Sequence, residues 1–146
     1  MTVSPEPFLT PAEEAQVIEA IAQAEKNTSG EIRVHIEQHT EKPALERAQE
    51  VFHALGMDKT EIRNGVLFYV GVADHTFAII GDEGIDKAVE ADFWDCTKDI
   101  VISHFKNKQF KEGLVSGILR AGERLQQYFP FHKDDTNELS NDISRG

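Results

Sequence analysis

The 146-residue sequence has a single cysteine, Cys96, which excludes an internal disulfide and any multi-cysteine zinc site. One thiol in a chain this small points to a reducing compartment. Long apolar runs are missing as well. The longest, Val66 to Ala73, contains Gly71 and falls far short of the roughly 20 residues a membrane helix needs. The first ten residues carry Glu6 and two prolines, with neither a basic start nor an apolar stretch, so no secretory signal is read there. A cytoplasmic location without membrane insertion is expected. Positive charge is scarce too: 15 Lys and Arg stand against 26 Asp and Glu, a formal net charge of −11. That balance argues against nucleic acid or an anionic membrane surface as the main partner. Divalent cations, basic proteins and neutral ligands remain.

The usual catalytic signatures are absent. The sequence has no Gly-x-x-x-x-Gly-Lys phosphate loop, no Gly-x-Ser-x-Gly elbow, no Cys-x5-Arg and no His-Glu-x-x-His. His35 and His39 are four residues apart, but on a strand that spacing separates them by roughly 13 Å, too far to share a metal ion. Both read as solvated residues of a strand face. Cys96 has no basic neighbour to lower its pKa and reads as an inert helix thiol.

What the chain does have is a core. Ile, Leu, Val and Phe account for 39 of the 146 residues, enough for one globular domain. Thr10-Pro11-Ala12-Glu13 combines an N-cap, a proline at the first helical position and a glutamate three residues on, so a helix is predicted from Pro11 with Val17, Ile18, Ile21 and Ala22 as its apolar stripe. Glu31 to Gln38 alternates, with Ile32, Val34 and Ile36 on one face, and reads as a half-buried strand. Pro43 opens a second helix whose Leu45, Ala48, Val51, Phe52 and Leu55 face inward, and Gly56 stops it. Val66 to Val72 is continuously apolar and reads as a central strand covered on both faces. A tight turn at 73–76 returns the chain antiparallel through Phe77 to Ile80. The rest is predicted helical: a short helix over 85–90, a longer one from Asp92 to Phe105 with Asp92 and Asp95 as its cap pair and Trp94 in the core, and one from Phe110 to Gln127. A twice-covered strand needs helices on both sides, so the predicted class is α/β, a three-layer α/β/α sandwich with a small mixed sheet. The organisation expected is an extension over 1–9, one domain over 10–130, and a polar acidic tail over 131–146.

This topology brings three loops to one sheet end: Ser29-Gly30-Glu31, Arg63-Asn64-Gly65 and Gly81-Asp82-Glu83-Gly84. Glu31, Asn64, Asp82, Glu83 and Asp86 are therefore candidate ligands for a hard cation, Ca²⁺ or Mg²⁺, which takes carboxylate and amide oxygens with water completing its shell. The competing reading is that Asp82 or Glu83 caps the following helix and that Asn64-Gly65 is an ordinary turn. Spacing leaves both open.

The segments Ser29-Gly30-Glu31-Ile32-Arg33-Val34, Arg63-Asn64-Gly65-Val66-Leu67 and Phe77-Ala78-Ile79-Ile80-Gly81-Asp82-Glu83-Gly84-Ile85 resemble the TPM domain. His104-Phe105, Phe110 and Glu112-Gly113-Leu114 continue the likeness, which spans roughly Leu9 to Phe129. The resemblance implies an α/β/α sandwich, a phosphatase label, divalent-cation binding in some members and roles around membrane protein complexes in others. The familiar members are exported and membrane-tethered; this chain is more similar to a smaller soluble branch, in which Asp134-Asp135-Thr136-Asn137-Glu138-Leu139 also finds a likeness. Two functions follow as expectations: a divalent-cation-dependent phosphomonoesterase, or a non-catalytic cation-binding or protein-interaction module whose tail around Asp134, Asp135 and Glu138 engages a basic partner. Physics constrains the first. A phosphate approaching Asp82 and Glu83 to ~5 Å meets on the order of 3 kcal/mol of repulsion per charge pair at an effective dielectric of ~20. A bridging metal ion reverses that sign, so a phosphatase built here has to be metal-assisted.

Overall fold

A computed structural model describes residues 8–26, 28–59, 63–90, 92–130 and 143–145. The chain opens with helix α1 (Pro11–Glu25), whose predicted capping box is present: Thr10 Oγ1 accepts from Glu13 N at 3.1 Å, and Thr10 N donates to Glu13 Oε1 at 3.0 Å. Strand β1 (Glu31–Glu37), helix α2 (Ala44–Ala54) and a 3-10 turn (Met57–Lys59) lead to strand β2 (Gly65–Gly71). Strand β3 (Thr76–Gly81) returns antiparallel and is followed by a single helical turn, α3 (Glu83–Asp86). Helices α4 (Asp95–Lys106) and α5 (Phe110–Tyr128) complete the domain, and a two-residue strand β4 (Ser144–Arg145) closes it.

The sheet order is β3-β2-β1-β4. β1 pairs parallel with β2, Glu31 opposite Gly65, and parallel with β4, while β3 is antiparallel to β2. The mixed sheet is thus as expected, with one addition: residues 144 and 145 of the tail form an edge strand on β1, His35 opposite Ser144. Residues 131–142 and 146, Asp134, Asp135 and Glu138 among them, lie outside the described residues.

Two cores flank the sheet. On one side Ile32, Val34, Val66, Phe68 and Val70 meet α1, α4 and α5 through Val17, Ile21, Val101, Leu114, Ile118 and Leu125. On the other, Leu67, Tyr69 and Ala78 meet α2 and the 3-10 turn through Ala48, Val51, Phe52 and Met57. Every residue of β2 is buried, which is why its sequence does not alternate. The fold is a three-layer α/β/α sandwich.

Three local expectations are corrected. Leu45, placed in the core by helical spacing, is 55% exposed, because it borders the open cavity beside the end of β3 instead of packing into the core. Asp92 and Asp95 do not cap α4; its N-cap is Trp94, with no side-chain cap bond, and Asp95 is the first helical residue. Trp94 itself is half-buried and packs against the edge of the larger core.

Candidate functional site

The three loops predicted to share a sheet end do so, and hydrogen bonds tie them together. Glu31 N donates to Asn64 O at 3.4 Å, Asp82 N to Gly65 O at 2.9 Å and Gly84 N to Arg63 O at 2.8 Å. Arg63 adopts a positive φ of 59°, turning the chain sharply into β2. Asp82 is 5% exposed and serves two masters. It is the N-cap of α3, accepting from Glu83 N at 2.7 Å. It is also clamped by Arg63, which donates Nε to Oδ2 at 2.9 Å and Nη2 to Oδ1 at 3.1 Å, a bidentate pair. The pairing holds the Arg63 guanidinium above its ordinary pKa. Glu83, exposed, pairs with Lys87 at 2.7 Å and lies 3.6 Å from Arg63; Lys87 holds its carboxyl below the usual range.

Asn64 is buried and donates to Ser29 Oγ at 3.3 Å, and Glu31 is buried beside it at the head of β1. Asp86 behaves differently from its neighbours. No ion-pair partner stands beside it among the described residues, and desolvation, then the nearby Asp82 charge, pushes its carboxyl above the ordinary range. Asp82 and Asp86 are on the wall of a cavity of about 330 Å³ formed where α2, the end of β3, α3 and Trp94 meet. The five candidate ligands therefore divide. Asp82 and Asp86 share the cavity, Glu31 and Asn64 belong to the buried sheet end, and Glu83 is on the surface with Lys87. Among the described residues, no three His, Cys, Asp or Glu side chains gather closely enough to hold a metal ion by themselves.

A second polar cluster occupies the opposite end of β1. Glu37, 5% exposed, accepts from Arg47 Nε at 2.9 Å and Nη2 at 3.0 Å, from Tyr69 Oη, and from His35 Nε2 at 3.2 Å. Arg47 first of all, with Tyr69 and His35, brings its pKa down to about 2 against the cost of burial. The Tyr69 hydroxyl is correspondingly pushed well above its usual value, chiefly by burial. His35 is 4% exposed, not solvated: its ring stacks beside Tyr69 of β2 at a centroid distance of 5.9 Å, and its two nitrogens meet Glu37 and Ser144 of β4. Burial lowers its pKa, and since Glu37 can only accept, Nε2 carries the proton and Nδ1 accepts from Ser144 Oγ at 2.9 Å. His39, the other histidine of that pair, is exposed as expected and meets Asp74 at 2.6 Å.

Ser144, His35 and Glu37 thus have the connectivity of a hydrolytic triad. Glu37 also accepts from Arg47 and Tyr69, and the bond from Ser144 to His35 ties β4 to β1. Arg145 strengthens that anchorage through an ion pair with Glu14 of α1.

A family model for the TPM domain matches residues 3–124. The chain belongs to the TPM domain family. Among solved structures, this TPM domain is similar to the BA42 protein of the psychrophilic bacterium Bizionia argentinensis, at 53% identity over 98% of this chain and 99% of that one, with a TM-score of 0.92. The N-terminal domain of a P. gingivalis protein shares the fold at 18% identity, covering 86% of this chain and 82% of that one, TM-score 0.69. So does the N-terminal domain of the cg2496 protein from Corynebacterium glutamicum, at 10% identity, 100% and 92% coverage and TM-score 0.62. No curated protein matches the chain. No described helix of this TPM domain is long and apolar enough to cross a membrane.

Proposed function

We propose that this TPM domain is a non-catalytic binding module, and that a divalent cation, calcium or magnesium, is taken at the cavity by Asp86 with Asp82 and water. The observation that carries the reading is Asp86: an exposed carboxylate on a cavity wall, beside a second carboxylate, with no ion-pair partner among the described residues. A hard cation relieves the repulsion between the two. Affinity is expected to be modest, because Asp82 is already committed to Arg63 and to the cap of α3.

The phosphomonoesterase that the family label implies asks more of the same site. It needs a metal ion positioned to offset the carboxylates and a nucleophile or activated water, and Asp82 is not free to position either. The test is a calcium and magnesium titration read by amide shifts, run beside hydrolysis of a chromogenic phosphate ester. Saturable shifts at 81–86, a fivefold or greater weakening in Asp86→Asn, tighter binding in Arg63→Gln, and no turnover are expected. Chelator-sensitive hydrolysis that disappears in Asp86→Asn would replace this reading with the enzyme. Shifts scattered over the whole acidic surface would remove the site.

A further inference from the structure

β3 is the end strand of the sheet, and no described residue pairs with its outer edge. Its sequence, Thr76-Phe77-Ala78-Ile79-Ile80-Gly81, has neither a charge nor a proline. Folded proteins usually protect an edge strand with one or the other, because an unpaired apolar edge invites another strand. The register fixes which groups are on offer. Asp82 N bonds to Gly65 O, so alternation turns the backbone of Ile80 and Ala78 toward β2 and that of Gly81, Ile79 and Phe77 away from the sheet.

The surroundings of this edge are shaped as a slot. From one layer, α2 presents Leu45, Gln49, Phe52 and His53, spaced so that they share one helix face. From the other layer stands Trp94. Ile79 and Ile80 point to opposite faces of β3, yet both line the cavity, so the cavity wraps the strand edge instead of lying on either face. Its volume of about 330 Å³ is roughly twice that of a cavity known to accept benzene, room for about a dozen non-hydrogen atoms. Leu45 on the lip is the most exposed large hydrophobic residue among those described. The walls are apolar along the strand and anionic at its end, where Asp86 has no ion-pair partner among the described residues.

We propose that the free edge of β3 is a docking site for an extended basic segment of a partner protein. The segment adds as a further strand, its backbone pairing with the outward groups of Phe77, Ile79 and Gly81, while a lysine or arginine side chain passes along the cavity to Asp86. Main-chain pairing supplies affinity and the cavity supplies selectivity, the division found wherever a peptide extends a sheet. Charge selects this occupant over a second copy of the chain, since two copies would each bring a net charge of −11. The inference goes beyond the cation reading and shares only the acidic end of the crevice with it.

The test uses the full chain, isotope-labelled, with a capped hexapeptide alternating valine and lysine. Two controls are the valine–glutamate peptide and the valine–lysine peptide N-methylated on its pairing amides. Binding should slow hydrogen exchange at Phe77, Ile79 and Gly81 and change the emission of Trp94, the only tryptophan. Asp86→Asn should weaken it about fivefold, and both controls should fail to bind. Equal binding of the acidic peptide, or of the N-methylated one, overturns the proposal. So does self-association through β3 in the absence of peptide. Calcium titrated into a separate sample tests the cation reading alone: peptide binding without calcium binding leaves the docking site standing, and calcium binding without peptide binding leaves only the other.

Discussion

Glu37 accepts hydrogen bonds from Arg47, Tyr69 and His35, and its effect on stability has a definite pH signature. Its folded pKa, about 2, is below the ordinary value of 4.5, so the native state favours its ionised form. The difference corresponds to about 3 kcal/mol of stability. That contribution is complete above pH 4.5 and drains away as the pH falls toward 2. Glu37→Gln should therefore be about 3 kcal/mol less stable than the parent chain in urea at pH 7, and the gap should close between pH 4.5 and 2. A gap that stayed constant over that range would mean that the ionised carboxylate is not the stabilising species. The same residues show what the sequence conceals at this scale. Alternation in β1 correctly separates Ile32, Val34 and Ile36 from Arg33, His35 and Glu37, but it cannot tell a wet face from one covered by side chains of other elements. Arg47 on α2, Tyr69 on β2 and Ser144 near the chain end, the partners of His35 and Glu37, are brought there by tertiary packing and carry no spacing signal.

At the level of elements, most of the fold was legible. The capping box of α1, the apolar run of β2 and the Gly56 stop of α2 are local codes, and Gly56 has the positive φ of 71° that such a stop requires. The limits of α3 and α4 were less so, since Asp82 and not a residue near Ile85 starts the turn, and α4 begins without a side-chain cap. The glycines of α5 look costly in sequence, and packing explains them. A Cβ on Gly117 would stand 2.5 Å from Val101 Cγ2, and one on Gly122 would stand 2.7 to 2.9 Å from Cβ, Cα and O of Ala24 on α1. Val101 ends in a methyl group that a small shift can move; the Ala24 backbone can yield only if α1 moves away. Gly122→Ala gains up to ~1 kcal/mol of helix propensity but incurs overpacking of about 1–3 kcal/mol. A net destabilisation of about 1–2 kcal/mol in chemical denaturation is expected. A neutral or stabilised variant would show that α1 and α5 are less closely apposed than this.

Over the whole molecule, the charge of −11 raises the question of whether any cation effect belongs to one site. A diffuse acidic surface also attracts calcium, and ionic strength separates the two cases. At ~0.01 M salt the Debye length is about 30 Å, so every carboxylate contributes to a common field; at ~0.15 M it is about 8 Å, and only groups near the ion still count. Condensed counterions should therefore be lost over that interval, taking with them shifts spread across exposed faces such as those of α1 and α2. A cation at the cavity depends on Asp86 and Asp82 at short range, so its shifts at 81–86 should persist, with affinity reduced by a factor of only a few. Acid should act on it too. Desolvation, then the nearby Asp82 charge, pushes the Asp86 carboxyl above the ordinary aspartate value, so protonation competes with the cation and binding should weaken as the pH falls. Calcium titrations at both salt concentrations and across pH 4 to 7 check this directly. Binding that tracked total charge in salt and in acid would assign the cation to the surface at large and leave Asp86 without a role in holding it.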